Sequence, residues 1–262
     1  MCGGIRSMTI QNALVLSRRE LAPGIVDYQV SCPELAAQAL PGQFVHIRVP
    51  GYTLRRPISI CRIDKAAGTI RLVMEVRGEG TAILSQVEEG GALDLLGPLG
   101  NGFSLPAPGA KVIVVGGGIG VPPLLEVAAR FGKDATACLG FRGAGNLILG
   151  EDFSATGAAV RLATDDGSLG HHGLVTDLLK ERLEEAPAQL ICACGPGPML
   201  RGVAALAAEY GVPCQVSLEE RMACGVGACL GCAVAVRTPD GSAAYRHVCK
   251  DGPVFPAEEV FF

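Results

Sequence analysis

The chain has no run of basic residues. Its 22 lysines and arginines stand against 26 aspartates and glutamates, for a formal net charge of −4. The electrostatic footprint of a nucleic-acid binder is therefore missing. Charge of either sign is scarce, at 18% of residues against a usual ~25%, and a surface so composed suits contact with a partner or a large cofactor. Long apolar runs are also missing. The best, Val112 to Leu125, spans 14 residues and is broken by Gly116-Gly117-Gly118, Gly120 and Pro122-Pro123, whereas a membrane-spanning helix needs ~20. Met1-Cys2-Gly3-Gly4-Ile5-Arg6 lacks the hydrophobic segment of a secretory signal, so a cytoplasmic chain is expected. The four histidines, His46, His171, His172 and His247, show no metal-ligand spacing and are expected to be structural or solvated. No Ser-His-Asp arrangement or paired-carboxylate motif stands out.

What is present points to several units. At ~100–200 residues per domain, 262 residues accommodate two ordinary domains and a small module. Residues 1–105 read as an antiparallel β-barrel. Thr69 to Val76 alternates with Ile70, Leu72, Met74 and Val76 on one face, Phe44 to Val49 is similar, and turn signals such as Pro41-Gly42 and Ala67-Gly68 recur at short intervals. Pro106 to Gly109 reads as a linker. From 106 to 218 the period changes to strand, turn and helix. Lys111 to Val115 is a β-branched run followed by a glycine turn and a helix through Phe131. Strands are expected at Ala135–Leu139, Ala159–Ala163, Leu190–Cys194 and Cys214–Leu218, and helices at Leu174–Leu183 and Met199–Tyr210. This alternation predicts a doubly wound parallel sheet. Residues 219–262 are rich in glycine and cysteine, fit neither pattern and form a third, small module.

The cysteines carry the sharpest signal. Of eleven, four crowd into the last 39 residues as Cys224-x4-Cys229-x2-Cys232-x16-Cys249, the spacing of plant-type ferredoxins with a [2Fe-2S] cluster. Gly225, Gly227 and Gly231 fall between the first three, where a backbone must wrap tightly and aim amides at sulfur. A structural zinc site and four unligated buried cysteines are the competing readings. Arg56-Pro57-Ile58-Ser59 follows a strand and offers a guanidinium for a pyrophosphate and a hydroxyl for a flavin ring. Gly78-Glu79-Gly80-Thr81, at the start of a helix expected over Thr81–Val87, offers a second phosphate contact; a plain turn is the alternative for each. The turn through Gly117, Gly118 and Gly120 lies between strand and helix, where a dinucleotide would bind, although Val121 takes the third glycine's place in the usual fingerprint. Cys194-Gly195-Pro196 repeats that context at another strand end.

Taken in order, the barrel, the arginine-serine motif, the glycine turn and the Cys-Gly-Pro turn resemble the ferredoxin reductase-like flavoproteins. Arg55-Arg56-Pro57-Ile58-Ser59-Ile60, Gly78-Glu79-Gly80-Thr81, the Gly116 to Pro123 turn and the stretch from Glu219 to Cys232 narrow the resemblance to the electron-transfer subunits of B-type dihydroorotate dehydrogenase, from about Thr9 to Phe262. The resemblance implies FAD contacts at Arg56, Pro57, Ile58, Ser59, Val73, Met74, Glu75, Gly80 and Thr81. It implies a [2Fe-2S] cluster on the four cysteines, NAD(H) as substrate and Cys194 close to the nicotinamide. Ile58 stands where many relatives have an aromatic residue, which excludes stacking on the flavin from that position. Phe141-Arg142 follows the second strand where an acid is expected, so the residues themselves do not choose between NADH and NADPH.

The implied function is a relay between NAD(H), FAD, the cluster and the FMN of a separate dihydroorotate dehydrogenase catalytic subunit. The complex would be a heterotetramer of two of each chain serving pyrimidine (UMP) biosynthesis, with no dihydroorotate site in this chain. A reductase subunit of another NAD(P)H-linked complex, of hydrogenase, sulfite reductase or transhydrogenase type, is the alternative. A zinc-bound interaction module is a third reading from another class.

Overall fold

Alternating apolar residues close the first strands into a barrel in the computed structural model, which describes residues 9–262; the N-terminal motif with Cys2 lies outside the described residues. The strands are β1 (Thr9–Ala22), β2 (Ile25–Ser31), β3 (Phe44–Ile47), β4 (Arg56–Asp64), β5 (Thr69–Glu75) and β6 (Ala92–Leu99), in the closed antiparallel order β1-β2-β5-β4-β3-β6. Ile70, Leu72 and Met74 of β5 point inward with Val26, Tyr28 and Val30 of β2 and Val45 and Ile47 of β3. Closure leaves no free sheet edge. Val73, on the outer face of β5, is also buried, because the second unit docks there. Two short helices decorate the barrel, α1 (Pro33–Gln38) and α2 (Glu79–Leu84). The latter starts earlier and ends sooner than the expected Thr81–Val87.

The second unit is built on β7 (Val112–Gly117), β8 (Ala135–Phe141), β9 (Ala159–Thr164), β10 (His171–His172), β11 (Leu190–Cys194) and β12 (Cys214–Ser217). These strands are parallel, and the sheet order is β10-β9-β8-β7-β11-β12-β15, where β15 (Val254–Pro256) is an antiparallel edge strand. The continuous apolar run of β7 serves two cores at once. Val112 and Val114 pack on α3 (Leu125–Phe131) and α4 (Gly150–Ala155), while Ile113 and Val115 pack on α5 (Val175–Glu185) and α6 (Gly197–Glu209). Helices on both faces make the sheet doubly wound. Strand order reverses between β7 and β11, and the carboxyl ends of strands at such a reversal are where ligands bind in open α/β sheets.

The chain beyond Ser217 leaves β12, forms a loop and the hairpin β13 (Ala233–Arg237) and β14 (Ala243–His247), then returns beside β12 as β15. This hairpin, α4 and β15 were not anticipated from the sequence. Among the described residues no helix is long and apolar enough to cross a membrane.

Candidate functional site

Two motifs that are ordinary turns in isolation meet in space. Arg56 opens β4, and its guanidinium lies against Gly80 at the start of α2, where an added Cβ would stand 2.6 Å from Nε and Nη2. Glycine is required there for close approach. Arg55 is held by Asp94 at 2.8 Å, whereas Arg56 donates to the main-chain oxygens of Leu54 and Arg55 and makes no ion pair among the described residues. Tyr52 lies beneath it, ring centroid 5.7 Å from the guanidinium carbon, and donates its hydroxyl to Glu79 at 2.6 Å. A charged group so placed is available to a phosphate.

This corner belongs to a cleft of about 420 Å³ lined by Arg56, Pro57, Ile58, Ser59, Val73, Met74, Glu75 and Thr81. The candidate flavin residues are thus brought to one place, with Gly80 behind Arg56. The opposite wall comes from Ile119 and Pro122 of the glycine turn and from Leu218, Glu219 and Met222 ahead of the cysteine loop. Glu219 on this wall faces the Arg77 guanidinium at 3.9 Å.

At the sheet edge the two candidate nucleotide turns pack on each other. A Cβ on Gly117 would meet Met199 and Pro196, and one on Gly120 would meet the carbonyl of Cys194 at 2.5 Å; Gly118, at φ +53°, faces open space. The Cys194 side chain is buried in the sheet core, and burial pushes its thiol up to about 12, with a smaller push from the Glu219 charge. Only its neighbours Gly195 and Pro196 reach a surface pocket, which Leu218, Phe261 and Phe262 also line. The segment Val260-Phe261-Phe262 packs on its own chain, Val260 bridging to Val236 and Phe261 lying under Arg237 at 4.9 Å.

The four crowded cysteines lie together in two pairs. Cys224 contacts Cys229, and Cys232 contacts Cys249. Backbone amides converge on them: Val226 and Ala228 donate to Cys224 Sγ at 3.4 and 3.3 Å, Gly227 to Cys249 Sγ at 3.1 Å and Cys249 to Cys232 Sγ at 3.5 Å. Burial opposes ionisation of Cys224, but the amide and Cys229 hydrogen bonds outweigh it and hold the thiol down to about 6. Cys249 is pushed up to about 12 by burial and by Cys232. Among the described residues, no three metal-ligating side chains gather as around a single ion; the two-plus-two pairing suits a dinuclear cluster, with two thiolates to each iron. Cys229 is exposed between exposed Val226 and Leu230, while Cys232 and Cys249 are buried.

No sequence motif marks Phe44 or His46, which lie beside the candidate site. Both sit on the outer face of β3, opposite the inward Val45 and Ile47, and Phe44 both lines the cleft and packs in one apolar cluster with Cys232 and Cys249. A large apolar residue on the outward face of an alternating strand was the signal available. His46 is fully buried, and burial, then the Arg55 charge, pulls its imidazole down to about 4.

A sequence model of the iron-sulfur cluster binding domain of dihydroorotate dehydrogenase B matches residues 219–261. The dihydroorotate dehydrogenase B (NAD(+)) electron transfer subunit of Desulforamulus reducens is 42% identical over 256 residues, 95% of this chain and 97% of that protein. Its counterpart in Bacillus caldolyticus is 44% identical over 255 residues, 94% of this chain and 96% of that protein. The chain belongs to this family of electron transfer subunits. It is therefore part of an oxidoreductase, with the ferredoxin reductase-like architecture expected from its motifs. In the family's terms, the matched segment is the loop and hairpin that hold the paired cysteines. A solved chain of the NADH-dependent reduced ferredoxin-NADP oxidoreductase has the same fold, with a TM-score of 0.85, 32% identity and coverage of 96% of this chain and 90% of that one.

Proposed function

We propose that this chain holds FAD in the cleft between barrel and sheet, takes NAD(H) at the sheet edge and carries a [2Fe-2S] cluster on Cys224, Cys229, Cys232 and Cys249. In this reading it relays electrons between NAD(H) and the FMN of a dihydroorotate dehydrogenase catalytic subunit. Residues 1–105 serve the flavin, 106–218 the nucleotide and 219–262 the cluster. The observation that carries the reading is the place of Phe44, which lines the candidate flavin cleft and shares one apolar cluster with two of the candidate cluster ligands.

Each group has residues suited to it. Arg56 supplies the unpaired charge for the FAD pyrophosphate, Gly80 leaves the room, Thr81 holds the turn through its hydroxyl, and Pro57, Ile58, Ser59 and Val73 to Glu75 form the wall. Gly118 leaves backbone open for the nucleotide phosphates, Gly117 and Gly120 let that turn pack against Pro196, Met199 and the Cys194 carbonyl, and Gly195-Pro196, backed by Cys194, shapes the nicotinamide's approach. Backbone amides aimed at sulfur stabilise thiolates. When bound, the groups supply two-electron exchange between nicotinamide and flavin and one-electron exchange at iron. The pair Val226 and Leu230 beside Cys229 gives the loop an apolar rim for the catalytic partner, in a complex of two of each chain. The buried, unpaired Cys32, Cys61, Cys138, Cys192 and Cys214 suit a reducing, cytoplasmic compartment.

The likeness to the NADH-dependent oxidoreductase favours one second reading, a reductase subunit of another NAD(P)H-linked complex. Reconstitution separates the two. The purified chain should show flavin and iron-sulfur absorption and reduce artificial acceptors with NADH without oxidising dihydroorotate. Adding an FMN-bearing catalytic subunit should create NAD-linked dihydroorotate oxidation. Dihydroorotate turnover by the chain alone, or no coupled oxidation in the assembled pair, overturns the proposal.

A further inference from the structure

His46 lies on the outward face of β3 beside Phe44, their ring centroids 5.7 Å apart. It is fully buried, and neither Nδ1 nor Nε2 has a hydrogen-bond partner among the described residues. An unpaired buried polar atom costs free energy that an apolar side chain of similar size would not. Packing alone therefore does not account for a histidine here.

The ring's direction shows what it serves. A Cβ built on Gly225 would stand 2.8 Å from Cε1, 2.9 Å from Nδ1 and 3.1 Å from Nε2. The polar edge of the imidazole is thus turned to the backbone directly after Cys224. Gly225, at φ +72°, has both the conformation and the missing side chain that let the ring approach. An imidazole carries at least one N–H in either protonation state.

We propose that His46 tunes the iron-sulfur centre: its imidazole, fixed against the backbone beside Cys224, would offer its ring N–H to the sulfurs of the bound centre and raise the centre's reduction potential. The inference rests on the reading that the four cysteines hold that centre. Reduction adds one negative charge to the cluster, so a fixed donor facing it favours the reduced state over the oxidised one. No sequence spacing reveals this role, because His46 and Cys224 are joined only by the docking of the loop on the barrel.

Potentiometric EPR titration of the FAD- and iron-loaded protein tests it. His46→Leu should retain iron, sulfide and FAD while its reduction equilibrium shifts tenfold toward the oxidised form, a fall of about 59 mV for one electron. His46→Gln, which keeps an N–H, should recover at least half of that fall. An unmoved potential in His46→Leu, or equal falls in both variants, overturns the role. Should His46→Leu not fold, the test moves to protein with native His46 and 15N-labelled histidine: a histidine-nitrogen coupling to the reduced centre that persists in His247→Ala supports the donor, and its absence overturns it. A wild-type protein with no iron-sulfur signal overturns the cluster reading itself, and this inference with it.

Discussion

At the scale of single residues, the proposed flavin corner depends on a side chain that is absent. Gly80→Ala would drive a methyl into the Arg56 guanidinium, and Arg56→Ala would remove it. A charge-assisted hydrogen bond is worth roughly 1.5–3 kcal/mol, so either change should weaken FAD binding about 10- to 100-fold, read by flavin fluorescence on dilution, with Arg56→Lys intermediate. Wild-type FAD affinity in Gly80→Ala would remove this corner from the site. Arg56, Gly80 and the cysteines stand out in the sequence as candidates because the chemistry proposed for them comes with a local spacing. Phe44 and His46 do not, because what places them at the candidate site packs over β3 from nearly two hundred positions away.

At the scale of elements, the strands and helices of the α/β unit could be read because a run buried on both faces and a helical stripe are both periodic. The hairpin β13 and β14 was harder to read. Its alternation is written in small residues, Ala233, Val234, Ala235 and Val236, and its turn is organised by polar contacts. Asp240 accepts hydrogen bonds from the Thr238 hydroxyl and from the hydroxyl and amide of Ser242, which lower its carboxyl to about 2 from an ordinary 3.8. A carboxyl depressed on folding stabilises the folded state above its unfolded value, and that contribution is lost as the pH falls through the folded one. The turn should therefore remain intact at pH 4 and loosen toward pH 2. The Ser242 amide resonance followed by NMR should titrate near 2, and a midpoint near 3.8 would show that these contacts do not persist in solution.

At the scale of the whole molecule, one ion network ties the barrel to the sheet unit. Arg71 of β5 reaches Asp27 of β2 at 2.8 Å and also pairs with Asp152 of α4, while Arg19 holds the other oxygen of Asp27 at 2.6 Å. Removing one partner of a buried pair strands the other, at ~3–5 kcal/mol. Because Arg19 remains, Arg71→Leu should fall at the lower end, about 3 kcal/mol in urea unfolding. Asp152→Asn should cost less, since that end of the network is more exposed. Equal stability of Arg71→Leu and the wild type would show that this network does not help to join the two units.

The path of the C-terminal segment has a mechanical consequence. The chain departs from β12 and comes back on the neighbouring β15, so the cysteine loop is stapled at both ends to one strand pair and does not hang from a tether. Electron carriers on tethers must search for their acceptor and slow down in syrup; this one has no search to make within its own chain. Flavin-to-cluster transfer in the loaded protein, followed by flash photolysis, should proceed at the same rate in buffer and in concentrated sucrose. A rate falling in proportion to viscosity would mean that the staple opens during turnover.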